Sequence, residues 1–420
     1  MTTVNSIADT LNANYKQVYG DDIEDLIPDG VKVLNDLTLE KGEQQQGGTY
    51  NQPVALGLEH GITFEAGDAV ANLNAAVAGK LENAQVTGFQ IVGRAQFGWT
   101  AAQRAASSKN AFEQITGVVL RSLMKSCKKK GEALAIYGGG STAAPTLGLG
   151  TVSTNVANII VLTVSTTAEG IWAGMVGMLI DAYTSAGVLR KSAMKITAVS
   201  LLSTGAVQLT VDDSTAVAAT DVLHFLGAFG KTALGIRGIL DQSTTSLFGV
   251  SQTTYADLWK GSTYAVGGQM TYAKIVKGLA IALPKGGEGR FKVYLHQESW
   301  QDVANEAEIV PTGNMDSRYK PKILEKGVEN IKFHSVAGVV ELVPSTYVKR
   351  GDAFALLQDG SWKRIGSTDF TMKVAGVDAG AVFMPLPNAA GFEVRCYADF
   401  APFCDKPAAS VYYTGVTQST

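Results

Sequence analysis

Charge is the first thing this sequence is short of. Asp, Glu, Lys and Arg make up 17% of its 420 residues, against about 25% in ordinary soluble domains. A chain of this length can bury a core without covalent staples and has room for two or three domains. Low charge on such a chain implies that much of its surface is hidden against other subunits. The net charge of −3 excludes the strongly basic balance of a dedicated nucleic-acid binder, although not a local basic face. Cysteine is sparse too. Cys127, Cys396 and Cys404 are odd in number and lack CxxC spacing, which supports neither a disulfide framework nor a zinc site. Long apolar runs are missing: a stretch such as IIVLTV at 159–164 falls far short of the about 20 residues a membrane span needs. The segment MTTVNSIADTLNANYKQ has no basic region leading into an apolar one, so no signal peptide is expected. Together these features point to a soluble protein of a cytoplasm.

Catalytic signatures are also lacking. LGAFGKT at 226–232 comes nearest, but the first glycine of a phosphate-binding G-x-x-x-x-G-K-[ST] loop falls on Phe225. The shorter loop from Gly227 cannot wrap its amides around phosphates, and the segment is expected to be a hinge. His60, His224, His296 and His334 are scattered singly, without metal-ligand spacing; His60 and His334 fall in strand-like segments as structural histidines. No G-x-S-x-G, G-x-G-x-x-G or H-E-x-x-H is present, which removes the main hydrolase, dinucleotide and zinc-protease signals. Asp212-Asp213 most simply start a turn. Neither an enzyme nor a cofactor or metal is expected.

Glycine is abundant, 46 residues against a norm of about 7%, and suits long ribbons with close backbone contacts. Residues 1 to about 45 are polar and read as an extended arm that ends at KGEQQQGG (41–48). TYNQPVALGLEHGITF (49–64) and AQVTGFQIVGRAQFGWT (84–100) are β-prone, with helical character between them at 68–84. A two-stranded ribbon of that length is marginal alone and needs a partner surface. The best helical signal runs over 109–137, where Phe112, Ile115, Val119 and Leu123 recur at helical spacing until Gly138-Gly139-Gly140 stops it. Gly117 and Gly131 suggest a local kink. Short strands at 158–165, 178–184, 193–202, 206–212 and 221–227 predict a small β domain, bounded by glycine-rich stretches as an insertion would be. Beyond 230 the pattern is mixed: helices at 272–283 and 299–307, strands at 291–295, 339–345, 353–358 and 392–400. In the last of these, period-two alternation puts Cys396 on a buried face.

Several segments resemble, in order from about 49 to 416, the major capsid proteins of tailed bacteriophages. The hairpin stretches with AQFGWTAAQRA (95–105), the helix ending GEALAIYGGG, FKVYLHQESWQDVANE (291–306), VVELVPSTYVKRGDAFAL (339–356) and FEVRCYADFAPFCDKPAASVYYTGV (392–416) carry the likeness. The resemblance implies an α+β fold of the Hong Kong 97 type. Its parts would be an N-terminal arm (1–48), a long β-hairpin or E-loop (49–108), the spine helix of a peripheral domain (109–149), an inserted β domain (150–229), and an axial domain with the rest of the peripheral domain (230–420). It implies hexamers and pentamers that close into an icosahedral shell around double-stranded DNA in a host cytoplasm, with a separate scaffold, a portal and decoration proteins as partners. In such a shell Arg121, Lys125, Lys128, Lys129 and Lys130 are either a solvated helix face or a lumenal surface touching packaged DNA without base readout. The alternatives are an encapsulin-type compartment, a nucleotide-binding enzyme built on 221–240, and a virion decoration or tail protein. Some relatives crosslink subunits through lysine and asparagine; Lys80 lies in the hairpin, but no such pair aligns here. Denaturing gels of mature particles should therefore show single chains, and covalent ladders would contradict that expectation.

Overall fold

The computed structural model describes residues 30–40, 45–46, 48–67, 72–98, 109–241, 245–309, 331–373, 383–386 and 391–419. A short helix α1 (Val33–Asp36) leads into β1 (Thr38–Glu40), which runs parallel to Lys363–Ile365. Then β2 (Gln45–Gln46), β3 (Thr49–Gly57) and β4 (Lys80–Thr87) form an antiparallel ribbon. Gly79 closes its neck, because a Cβ there would lie 2.8 Å from the Gly57 carbonyl oxygen. The helical character expected over 68–84 is not found in the described part: 72–79 is irregular and 80–84 is strand. The physical reason is local. Asn72, Asn74 and Gly79 are poor helix formers. Leu73, Val77 and Leu81, apolar at successive i, i+4 steps, are all exposed and give so short a helix nothing to pack on.

After Gly88 the chain leaves the ribbon. β5 (Phe89–Gly98) pairs instead with Gly391–Phe400. Helix α2 (Lys109–Tyr137) is continuous over 29 residues, roughly 43 Å at the usual rise, with no break at Gly117 or Gly131. Gly131 serves packing, since a Cβ there would meet the Phe370 ring at 2.6 Å.

Six strands then close a barrel: β6 (Gly150–Val156), β7 (Ile159–Leu162), β8 (Leu179–Tyr183), β9 (Leu189–Leu201), β10 (Val207–Val211) and β11 (Val222–Phe225), in the order β10-β7-β6-β11-β8-β9. Closure leaves no free edge. Val152, Ile160, Ile180, Ile196, Leu209 and Leu223 fill the interior. Five of these strands match the segments read from sequence; β6, GTVSTNV, was too polar to register. The barrel is strapped to the body through α3 (Glu169–Trp172). The Gly170 N–H donates to the Thr346 carbonyl at 2.9 Å, and Trp172 is wholly buried in an apolar cluster shared by barrel, α2 and ribbon base.

The rest builds two sheets. In chain order come α4 (Ile236–Leu240), the small hairpin β12 (Ser246–Leu247) and β13 (Val250–Ser251), β14 (Ser262–Gln269), α5 (Tyr272–Ala282), β15 (Gly289–Leu295), α6 (Gln297–Ile309), β16 (Ile331–Ser335), β17 (Gly338–Pro344), β18 (Asp352–Leu357), β19 (Trp362–Thr371), β20 (Phe383–Pro385), β21 (Gly391–Cys404) and β22 (Val411–Thr417). A mixed sheet of order β14-β22-β18-β15-β17-β16 packs α5 on a separate core that includes Ile275, Leu279, Val293, Leu342 and Tyr413. In the second sheet β19 and β21 pair at the centre, with β1, β20 and β5 alongside. Cys396 is fully buried on β21, as its period-two pattern predicts.

One buried ionic cluster ties barrel to body. The Arg350 guanidinium reaches Glu169 on α3 at 2.7 and 2.8 Å and Glu298 on α6 at 2.6 Å, and His296 Nε2 lies 2.7 Å from the other Glu169 oxygen. Burial alone would raise the Glu169 carboxyl, but the His296 and Arg350 contacts hold it down at about 2. Replacing Arg350 with Ala would leave the half-buried Glu169 carboxylate to His296 alone, so R350A should lose about 2 kcal/mol in urea unfolding of the unassembled chain. R350K should recover only part, because one ammonium cannot span both carboxylates. An R350A midpoint equal to wild type would refute the clamp.

Candidate assembly surfaces

The ribbon has an anchored base and a bare tip. At the base, Tyr50, Ala84 and Val86 are buried, and the Tyr50 ring meets Phe403 edge-on with centroids 5.6 Å apart. The Gln85 N–H donates to the Phe248 carbonyl at 2.8 Å, and the Tyr255 hydroxyl donates to Glu82 at 3.1 Å. Toward the tip the pattern reverses. Leu58 is 79% exposed, Phe64 89%, Leu73 86% and Leu81 76%. The tip still has internal order: the His60 N–H donates to the Val77 carbonyl at 3.0 Å, and Asn74 bonds Thr63 Oγ1 at 2.8 Å and the Ile62 carbonyl at 3.0 Å. His60 thus sits in the irregular tip, not in a strand. Each such apolar side chain is worth about 1.5–3 kcal/mol when buried. Several large apolar side chains are thus exposed together at one end of the ribbon, which makes the tip a candidate interaction surface.

A second feature fixes the segment that carries α1. Glu132, fully buried on α2, accepts the backbone N–H groups of Lys32 (3.1 Å), Val33 (2.9 Å) and Leu34 (2.7 Å). These are donors at the start of a helix too short to satisfy them itself. Burial pushes the Glu132 carboxyl up to about 7, against the pull of the three N–H donors and with help from Asp36. Asp36 is in turn held by Lys292 at 2.6 Å and by the Tyr294 hydroxyl at 2.5 Å.

Arg121, Lys125, Lys128, Lys129 and Lys130 on α2 do not share one face. Arg121 and Lys128 are exposed and Lys125 is half-buried, at i, i+7 and i+4 along one stripe. Lys129 turns inward, where its ammonium donates to the Ala173 carbonyl at 2.7 Å; a side chain only 3% exposed has no free surface to offer a ligand. Lys130 is half-buried with its ammonium 5.9 Å over the Phe225 ring, and burial lowers its pKa. Of the apolar residues at helical spacing, Val119 and Leu123 are half-buried, while the side chains of Phe112 and Ile115 lie outside the described residues. The fully buried stretch of α2 is Gly131–Tyr137 instead.

The hinge expected at 226–232 is a chain of turns leaving the barrel. Its amides are already committed, Gly227 to the Asp181 carboxylate at 2.8 Å and Gly230 to the Gly140 carbonyl at 2.7 Å, which leaves no phosphate cradle there. His224 is buried between Tyr183 and Phe229, where burial lowers its pKa to about 4. His334 lies exposed on β16. Among the described residues no group of three or more His, Cys, Asp or Glu could hold a metal ion, and no helix is long and apolar enough to cross a membrane. Sequence reasoning missed Glu132, Glu169 and Arg350, whose partners lie 52 to 181 positions away.

This architecture has solved counterparts. The capsid asymmetric unit of cyanophage A-1(L) matches over 98% of this chain and 100% of that one, with TM-score 0.59 and 11% identity. The capsid of an empty GTA particle matches over 99% and 100%, with TM-score 0.50 and 8% identity. An encapsulin complex from Synechococcus elongatus matches over 100% and 98%, with TM-score 0.44 and 9% identity. No protein-family model and no curated protein matches the chain. At such identities the likeness defines the fold: the chain has the α+β fold of phage capsid subunits.

The raised Glu132 pKa has a defined consequence for stability. A carboxyl whose folded value exceeds its unfolded one contributes stability below about 4.5 that is lost as pH rises through about 7. Wild type should therefore lose about 3 kcal/mol relative to E132Q between pH 4.5 and pH 8, as read by denaturant unfolding at each pH. Parallel pH profiles for the two chains would show that Glu132 does not titrate in this range.

Proposed function

We propose that this chain is the major capsid protein of a tailed double-stranded DNA bacteriophage, assembling as hexamers and pentamers into an icosahedral shell that encloses the genome. The observation that carries this is the ribbon, anchored at its base and apolar at its exposed tip, on a fold that phage capsid subunits share. A tip built this way gains its burial from a neighbouring copy, and repetition around a closed shell covers every such surface. The role is structural rather than catalytic. In this assignment 1–48 is the arm, 49–108 the E-loop region, 109–149 the spine helix segment, 150–229 the inserted domain, and 230–420 the axial domain with the remaining peripheral part.

Arg121, Lys125 and Lys128 are the residues suited to salt-sensitive, sequence-independent phosphate contacts inside the shell; Lys129 has a structural task. Scaffold, portal and decoration proteins complete the partner set, with assembly in the host cytoplasm and residence in the virion. Electron microscopy of the purified chain, alone and with a co-expressed scaffold, tests the proposal. Closed shells of tens of nanometres are expected, and Phe64→Asp at the tip should abolish them while leaving the monomer folded. A discrete monomer or small oligomer under both conditions would remove assembly as the function.

A further inference from the structure

Cys396 on β21 lies directly opposite Gly93 on β5 in the antiparallel register. A Cβ built on Gly93 would lie 2.4 Å from Cys127 Sγ and 3.6 Å from Cys396 Cβ. The sulfur of Cys127, on α2, therefore occupies the space in which a side chain at position 93 would begin. That is the cross-strand position next to Cys396. Both thiols are buried, at 4% and 0% exposure, with Met124 Sδ a further 3.8 Å from Cys396 Sγ. A fold that kept these residues as inert fillers would not need a glycine in mid-strand to admit a sulfur from another element.

We propose that Cys127 and Cys396 are a paired redox site that closes to an intrachain disulfide when the protein meets a peroxide. Cys127 is the attacking sulfur. The hydrogen bond from Cys396, and then Lys130, pull its pKa down against burial, whereas the bond to Cys127 and burial push Cys396 up. The Cys127 thiolate attacks one peroxide oxygen, the O–O bond breaks, and the departing hydroxide takes a proton to become water. The sulfenic acid left on Cys127 is then attacked by the Cys396 sulfur. The S–O bond breaks, an S–S bond forms, and the Cys396 proton leaves with the oxygen as a second water. Two thiols lose two electrons and one peroxide gains them.

The product would fasten α2 to the long central strand β21 and close a loop between positions 127 and 396, which constrains the unfolded chain strongly. In a reducing cytoplasm the pair stays open and α2 is free to adjust; outside the cell it can close. That timing rests on the capsid assignment, but the bond does not, so the experiment uses the unassembled full-length chain. The folded protein is treated with hydrogen peroxide, denatured, alkylated with a maleimide, and mapped by mass spectrometry without reduction. Two of the three thiols should be lost, with a Cys127–Cys396 linked peptide lighter by two hydrogens than its parts. C404S should give the same link and C127S should give none. Thermal unfolding of the oxidised chain should shift upward, and dithiothreitol should reverse the shift. Three alkylatable thiols after treatment, Cys127 sulfinic acid without a linked peptide, or a link to Cys404 would each overturn the proposal. The wild-type map decides even if a variant fails to fold.

Discussion

Everything else in the molecule is referred to the last two turns of α2. Within Lys129–Tyr137 four residues each engage a different part of the chain. Lys129 takes a carbonyl of the barrel strap, Glu132 takes three amides of the arm, and Gly131 lets Phe370 of the second sheet approach. The Tyr137 hydroxyl accepts the Lys349 N–H at 2.7 Å, beneath the Lys349 ammonium 4.2 Å above its ring. A helix end normally needs only one buried face; this one is buried on all sides. Its polar groups are consequently forced into specific partnerships, since each unpaired one would carry a full desolvation penalty. The constraint selects one arrangement of arm, barrel and body over looser ones.

The low charge content takes on a sharper meaning in this light. Charges are few, and an unusual share of them is internal. Arg350 joins α3 and α6, Lys363 reaches Glu40 and Asp405 at 3.1 Å each, and Arg364 bonds the Leu37 carbonyl at 2.8 Å. Lys349 is sealed against the Gly148 carbonyl at 2.6 Å, and burial, then Arg237, lower its pKa to about 7. Such groups add little net stability over apolar replacements but penalise wrong neighbours heavily. The sequence argument assigned the shortage of charge to subunit contacts. The structure adds that much of the charge present is occupied in holding distant segments in register.

These placements also explain what was legible beforehand. Five of the six barrel strands, α5, α6, β15, β17, β18 and β21 announce themselves through local apolar patterning, and α2 through its spacing. Strand β19, WKRIGSTDFT, is not among the segments read from sequence, because its Lys363 and Arg364 look like surface residues; they are buried because β1 and β21 bring acids and carbonyls to them. Strands β14 and β22 are mixed-polarity segments completed by pairing with each other in parallel, across roughly 150 positions. The lysine run of α2 misled in the same way. At 100° per residue three consecutive lysines cannot share a face, and only the neighbours decide which one turns inward. The ribbon tip was overread as helical since Leu73 and Val77 have the right spacing but nothing to pack on.

The same ribbon shows why an ordered but uncovered tip is useful. Association costs several kcal/mol in lost freedom before any contact is rewarded. A disordered apolar loop would pay an ordering cost on top of that. Here the His60–Val77 and Asn74–Thr63 hydrogen bonds fix the tip in advance, and the base is held by aromatic packing on Phe403. The remaining cost is mainly that of bringing two bodies together. In the proposed shell, a modest apolar patch would favour docking without making a single contact irreversible, so that misplaced subunits could leave until closure multiplied the contacts.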